Sequence, residues 1–129
     1  MENNNDNILN GLNGPQQRAV ETTEGPLLVL AGAGSGKTAV LTRRIANIIS
    51  LHRAEPREIL AITFTNKAAN EMRERITQLI GPKQAKEVWA YTFHGFAVQI
   101  LRRECSVLNY KDHFVIYDDS DTKRLIRQC

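Results

Sequence analysis

Two patterns of apolar residues alternate along the chain: a short run that is apolar throughout, then a longer stretch where apolar residues return every three or four positions. The first run is Leu27-Leu28-Val29-Leu30, apolar on both faces and bounded by Glu24-Gly25-Pro26 and a glycine-rich segment, which predicts a buried parallel strand. From Lys37 to about Leu51, Val40, Leu41, Ile45, Ile48 and Ile49 share one helical stripe, with Arg43, Arg44 and Asn47 mostly off it; Glu55-Pro56 closes that unit. A second round pairs Ile59-Leu60-Ala61-Ile62-Thr63-Phe64 with a helix marked by Ala68, Ala69, Met72, Ile76, Leu79 and Ile80, stopped by Gly81-Pro82. A third pairs Val88-Trp89-Ala90-Tyr91-Thr92-Phe93 with a helix from about Gly95 to Glu104 that carries Phe96, Ala97, Ile100 and Leu101. Repeated strand–helix units predict an α/β domain with a parallel sheet.

The flanks are read from local signals. Asn13-Gly14-Pro15-Gln16 opens a short helix running through about Thr22: Asn is a favoured N-cap, Pro is tolerated in a first turn, and Gln at the third helical position can bond back to the cap. Residues 1–7, rich in Asn, have little to bury and are expected to form a mobile tail, with order beginning near Ile8. Near the other end Phe114-Val115-Ile116-Tyr117 is a candidate short strand, and Asp118-Asp119-Ser120-Asp121 offers N-caps for a last helix containing Leu125 and Ile126. One domain over residues 8–129 is the expected organisation.

Composition narrows the class without naming a function. At 129 residues, 42% hydrophobic and 24% charged, the chain matches an ordinary globular domain. No apolar run approaches the roughly 18–20 residues that span a bilayer, and Met1–Asn7 carries no signal-peptide pattern, so a cytoplasmic protein without membrane contact is expected. Cys105 and Cys129 have no metal-ligand spacing and read as free thiols. Seventeen Lys and Arg against fourteen acids leave +3, too mild to argue a nucleic-acid partner. That case must come from motifs.

Ala31-Gly32-Ala33-Gly34-Ser35-Gly36-Lys37-Thr38 lies between an expected strand and an expected helix, the context of a phosphate-binding loop. The strict pattern has Gly where this chain has Ala31. The chemistry needs a tight turn whose backbone N–H groups converge on phosphate, with Lys37 to neutralise charge and the Thr38 hydroxyl for Mg²⁺. The N-terminus of the following helix adds unpaired donors and the positive end of its dipole. A nucleoside triphosphate with Mg²⁺ is the expected ligand pair.

Three further segments accompany the loop: Leu12-Asn13-Gly14-Pro15-Gln16-Gln17, Thr63-Phe64-Thr65-Asn66-Lys67-Ala68-Ala69 and Thr92-Phe93-His94-Gly95. In this order and spacing, from about Ile8 to the last residue, they resemble the start of the UvrD/PcrA/Rep-type superfamily 1 DNA helicases. The resemblance implies an incomplete RecA-like, three-layer P-loop domain. It also implies that Gln16 reads adenine, that Ala31–Thr38 hold the triphosphate and magnesium, with Lys37 and Thr38 in the catalytic roles, and that Arg75 approaches the nucleotide. Family members often carry Arg where this chain has Ala39, so no cationic contact is expected there.

By the same resemblance, Thr63, Phe64, Thr65, Asn66 and Lys67 contact single-stranded DNA, and Thr92 and His94 face its backbone. The chemistry is sensible: Phe64 at a strand's carboxyl end can stack a base while polar neighbours hold phosphates. Read without the family, Phe64 is a core residue, Asn66-Lys67 a solvated helix start and His94 structural. A capping role for Gln16 is compatible with either view.

The family's Asp-Glu pair, which holds Mg²⁺ and orients water, occurs nowhere in this sequence. Asp118-Asp119 mimics it after four apolar residues, but a helix N-cap is the better reading of Asp118. The expected whole is therefore the first piece of a helicase motor, truncated before its acidic motif. In a complete parent the motor would translocate on single-stranded DNA and unwind a duplex junction; the chain itself is expected to bind nucleotide without efficient turnover. An exposed sheet edge would favour non-native dimers. Two other classes fit parts of the pattern, a small-molecule or nucleotide kinase with Asp118 at magnesium and a non-catalytic docking module.

Overall fold

A computed structural model describes residues 4–111 and 113–128. The chain divides into two compact units, Met1–His94 and Gly95–Cys129, within the span expected to form one domain. In the first, helix α1 (Asn4–Leu9) precedes α2 (Gly14–Glu21) and α3 (Lys37–Ser50). Strand β1 (Leu60–Thr63), helix α4 (Asn66–Ile80), a single turn α5 (Pro82–Ala85) and strand β2 (Trp89–Thr92) follow. Helix α1 takes in Asn4–Asn7, part of the segment expected to be a mobile tail. Met1, Glu2 and Asn3 lie outside the described residues.

The strands β1 and β2 pair in parallel, with Leu60 opposite Trp89, Ala61 opposite Ala90, Ile62 opposite Tyr91 and Thr63 opposite Thr92. The helices between them form the crossover that parallel neighbours require. An α/β fold with a parallel sheet is thus the observed class, as the alternating pattern predicts. Ala61 and Ala90 are buried side by side with Met72 and Ile76 of α4 and Ile45 and Ile49 of α3. Two alanines in register leave room for helical side chains to reach the sheet.

Helix α3 joins two cores. Its Ile45 and Ile49 belong to the sheet cluster, while Val40 and Ala46 pack with Ile8 of α1 and Ala19 and Val20 of α2. Being covered on two sides, α3 also buries Thr42 and Asn47, whereas Leu41 of the expected stripe stays 38% exposed. The residues off the stripe bind the neighbouring helix ends. Arg43 Nη1 donates to the carbonyls of Ile8 (2.8 Å) and Asn10 (2.5 Å), Arg44 Nη1 to Ala19 (2.8 Å) and Asn47 Nδ2 to Val20 (3.1 Å). Terminal carbonyls of α1 and α2, unsatisfied within their own helices, are thereby paired.

Two expected strands are corrected. Leu27–Leu30 joins no ladder; its exposures alternate at 41, 81, 45 and 86%, so Leu27 and Val29 are partly covered while Leu28 and Leu30 stand open. A strand exists through its neighbours' hydrogen bonds, and the described sheet contains only β1 and β2. Phe114–Tyr117 likewise forms no strand, and Val115, Ile116 and Tyr117 are exposed.

Helix α6 spans Phe93–Glu104. In the second unit a 3₁₀ turn, Cys105–Leu108, is followed by α7 (Asp119–Ile126). Cys105 is buried, its Sγ donating to the Arg102 carbonyl at 3.9 Å; Cys129 lies outside the described residues.

Candidate functional site

The glycine-rich loop ahead of α3 is shaped by two glycines. Gly34 and Gly36 adopt φ of +71° and +81°, the left-handed region that a side chain disfavours, and Gly36 serves as the N-cap of α3. A Cβ on Gly36 would also lie 3.2 Å from the Gln16 amide nitrogen. Ser35 folds back on the loop, its hydroxyl donating to the Gly32 carbonyl at 2.6 Å. The Lys37 ammonium lies across the turn, donating to the carbonyls of Ala31 (3.1 Å) and Gly32 (2.5 Å). Lys37 and Thr38 are the first two residues of α3, and both are exposed.

Gln16 connects α2 to this loop. Its backbone N–H donates to Asn13 Oδ1 and its Oε1 accepts from the Asn13 N–H, both at 3.0 Å, which completes the expected capping box. Its Nε2 donates to the Ser35 carbonyl at 3.0 Å. One amide therefore caps a helix and touches the loop, with one N–H and one oxygen lone pair left by its inventory. A cavity of about 240 Å³ lies here, lined on one side by Pro15, Gln16 and Ala19 and on the other by Leu30, Ser35 and Lys37.

A second pocket joins the loop to the carboxyl end of β1: Lys37, Thr38 and Leu41 face Ile62, Thr63, Ala68 and Met72 across it. Immediately beyond Thr63, Phe64 is 89% exposed, and Thr65 caps α4 by accepting from the Ala68 N–H at 3.1 Å. Asn66 and Lys67 follow, both exposed, at the first turn of that helix. At the matching end of β2, Thr92 is buried while Phe93 and His94 are exposed. Residues 12–129 match the UvrD/REP helicase N-terminal domain family. The chain belongs to that family.

Its UvrD/REP-family relatives include the ATP-dependent DNA helicase PcrA of Leuconostoc citreum, 51% identical over 121 residues, covering 94% of this chain and 16% of the relative. PcrA helicases of Staphylococcus aureus (strain Mu50) and Bacillus subtilis (strain 168) are 51% identical over 120 residues, covering 93% of this chain and 16% of each relative. The chain thus spans about a sixth of the length of these curated relatives.

The other residues singled out for a UvrD/REP-type site fall as follows. The Arg75 guanidinium is paired with Glu71 one turn away on α4, at 2.6 Å, and does not line either pocket. Asp118 is the N-cap of α7: its carboxylate accepts from the Ser120 hydroxyl (2.7 Å), the Ser120 N–H (2.7 Å) and the Asp121 N–H (2.8 Å). These bonds, led by the Ser120 hydroxyl, hold its pKa below the ordinary carboxylate value. No group of three or more His, Cys, Asp or Glu able to hold a metal occurs among the described residues, and none of their helices is long and apolar enough to cross a membrane.

Two features escape a linear reading. The bonds from Arg43, Arg44 and Asn47 reach 25 to 35 residues back along the chain. Phe93, an apparent strand end, is brought beside Phe64 by the β1–β2 register, with ring centroids 5.7 Å apart.

Proposed function

We propose that this chain is the nucleotide-binding and single-strand-contacting amino-terminal part of an ATP-dependent DNA helicase. The observation that carries the reading is one shared pocket: Lys37 and Thr38 of the phosphate loop face Thr63, the residue before exposed Phe64. A triphosphate on one side and a nucleic-acid strand on the other would meet across β1. Ligands of open α/β sheets gather at such carboxyl ends.

The residues fit the expected nucleotide. The left-handed glycines keep the loop free of Cβ atoms where phosphate would approach, and the Lys37 ammonium already sits within the turn, bound to neutral carbonyls it could exchange for anionic oxygen. Thr38 would offer one hydroxyl to magnesium, with phosphate oxygens and water completing the shell. When bound, Mg²⁺ neutralises the phosphate charge. Gln16, already tethered to Ser35, would set a purine edge relative to the loop through its remaining donor and acceptor. Arg75 would reach the nucleotide only after leaving Glu71.

The 240 Å³ cavity is smaller than the roughly 300–1,000 Å³ of whole small-molecule sites, as one wall of a cleft would be. The chain lacks an Asp-Glu pair, and Asp118 is committed to its cap, which disfavours a kinase in which that carboxylate holds magnesium. The parent would translocate on single-stranded DNA as nucleotide state changes the grip of a cleft. Isothermal calorimetry with ATP, ADP and Mg²⁺, alongside a phosphate-release assay with single-stranded DNA, tests the reading. Binding without efficient turnover is expected; absence of binding favours a docking module, and DNA-stimulated turnover abolished by Lys37→Ala contradicts the assignment of incomplete chemistry.

A further inference from the structure

Phe64 is a ring with almost nothing around it. At 89% exposure, it has free rotamers to lose before it can hold a base, unless a neighbour restrains it. Phe93 is placed to do so: the parallel register sets Thr63 opposite Thr92, so the residues that follow emerge side by side, and the rings meet at 5.7 Å with a 54° tilt. Tilted aromatic pairs at this separation attract through complementary face and edge charge. The tilt excludes a sandwich, which needs parallel rings, and leaves one ring to support the other. Phe93 is itself 56% exposed, so core packing alone does not account for it.

Resting on the single-strand reading above, we propose that Phe93 is a positioning residue for DNA: it buttresses Phe64 so that the outward face of that ring is presented to a nucleobase. The occupant is a base of single-stranded DNA, favoured over an apolar peptide because exposed Asn66, Lys67 and His94 flank the rings in sequence. Those groups suit a phosphate backbone beside a stacked base. Phe93 acts through Phe64, and the two substitutions are therefore coupled.

The test titrates the full 129-residue chain into an oligo(dT) strand carrying one 2-aminopurine, whose fluorescence reports stacking. Phe93→Leu and Phe93→Met are each expected to weaken binding about two- to tenfold and reduce the stacking signal, the range that an aromatic pair supplies. Phe93→Tyr restores both. The salt dependence stays that of the parent, since phosphate contacts are untouched. Phe64→Leu weakens binding further, and adding Phe93→Leu to it costs nothing more. Circular dichroism identifies which of the two ring-deleted variants is folded and to be read. Additive losses, or parental binding by folded Phe93 variants while Phe64→Leu weakens it, overturn the buttress and leave the single-strand reading intact. Parental binding by Phe64→Leu as well overturns both.

Discussion

At the scale of single residues, the site depends on what Gly36 permits. With φ at +81° and the Gln16 amide 3.2 Å from where a Cβ would stand, Gly36→Ala meets both backbone strain and a crowded neighbour. A left-handed non-glycine residue costs roughly 1–2 kcal/mol, so the urea midpoint should fall by a corresponding amount and nucleotide affinity with it. An unchanged midpoint would mean that the loop relaxes freely. Asp118 provides a pH test. Its folded pKa is lowered, so its cap stabilises α7 fully above the ordinary carboxylate value of 3.8 and loses that contribution as pH falls through the lower folded value. Helical signal that depends on Asp118 should therefore persist at pH 5 and fade on strong acidification; Asp118→Asn should flatten that dependence, and an acid transition identical in the variant would contradict it.

At the scale of elements, α3 holds the site together by binding the carbonyl ends of α1 and α2. Asn47→Ala leaves the carbonyl of fully buried Val20 without its partner, with an expected loss of about 1–3 kcal/mol in chemical denaturation. A loss within a few tenths would show that α2 is held by its apolar contacts alone. The helices were legible in sequence because their signals are local. Asn13 and Gln16 announce α2 by a three-residue spacing, and Gly81-Pro82 ends α4 where the apolar stripe ends. The partners of Arg43, Arg44 and Asn47 were not legible, because periodicity shows that a residue leaves a stripe and not what it meets. Strands divide along the same line. The segments at 59–64 and 88–93 pair, though only over 60–63 and 89–92, whereas equally apolar Leu27–Leu30 finds no ladder. The glycine-rich turn before Lys37 is contiguous and so visible as a turn in the sequence; the meeting of Phe64 and Phe93 required the register between strands 29 residues apart.

At the scale of the whole molecule, the open apolar positions follow from a sheet of two described strands. Leu28 and Leu30, 81 and 86% exposed, form a surface that soluble chains normally cover. Sedimentation should show concentration-dependent association that a Leu28→Lys, Leu30→Lys variant reduces; a monomer at every concentration would contradict this. Whether the turn before Lys37 grasps a polyanion is read by backbone amide NMR during titration with Mg²⁺ and ADP. Saturable shifts of the Gly34, Ser35, Gly36 and Lys37 amides together are expected, lost in Lys37→Ala. Amides that stay still there, or move equally in that variant, would contradict it.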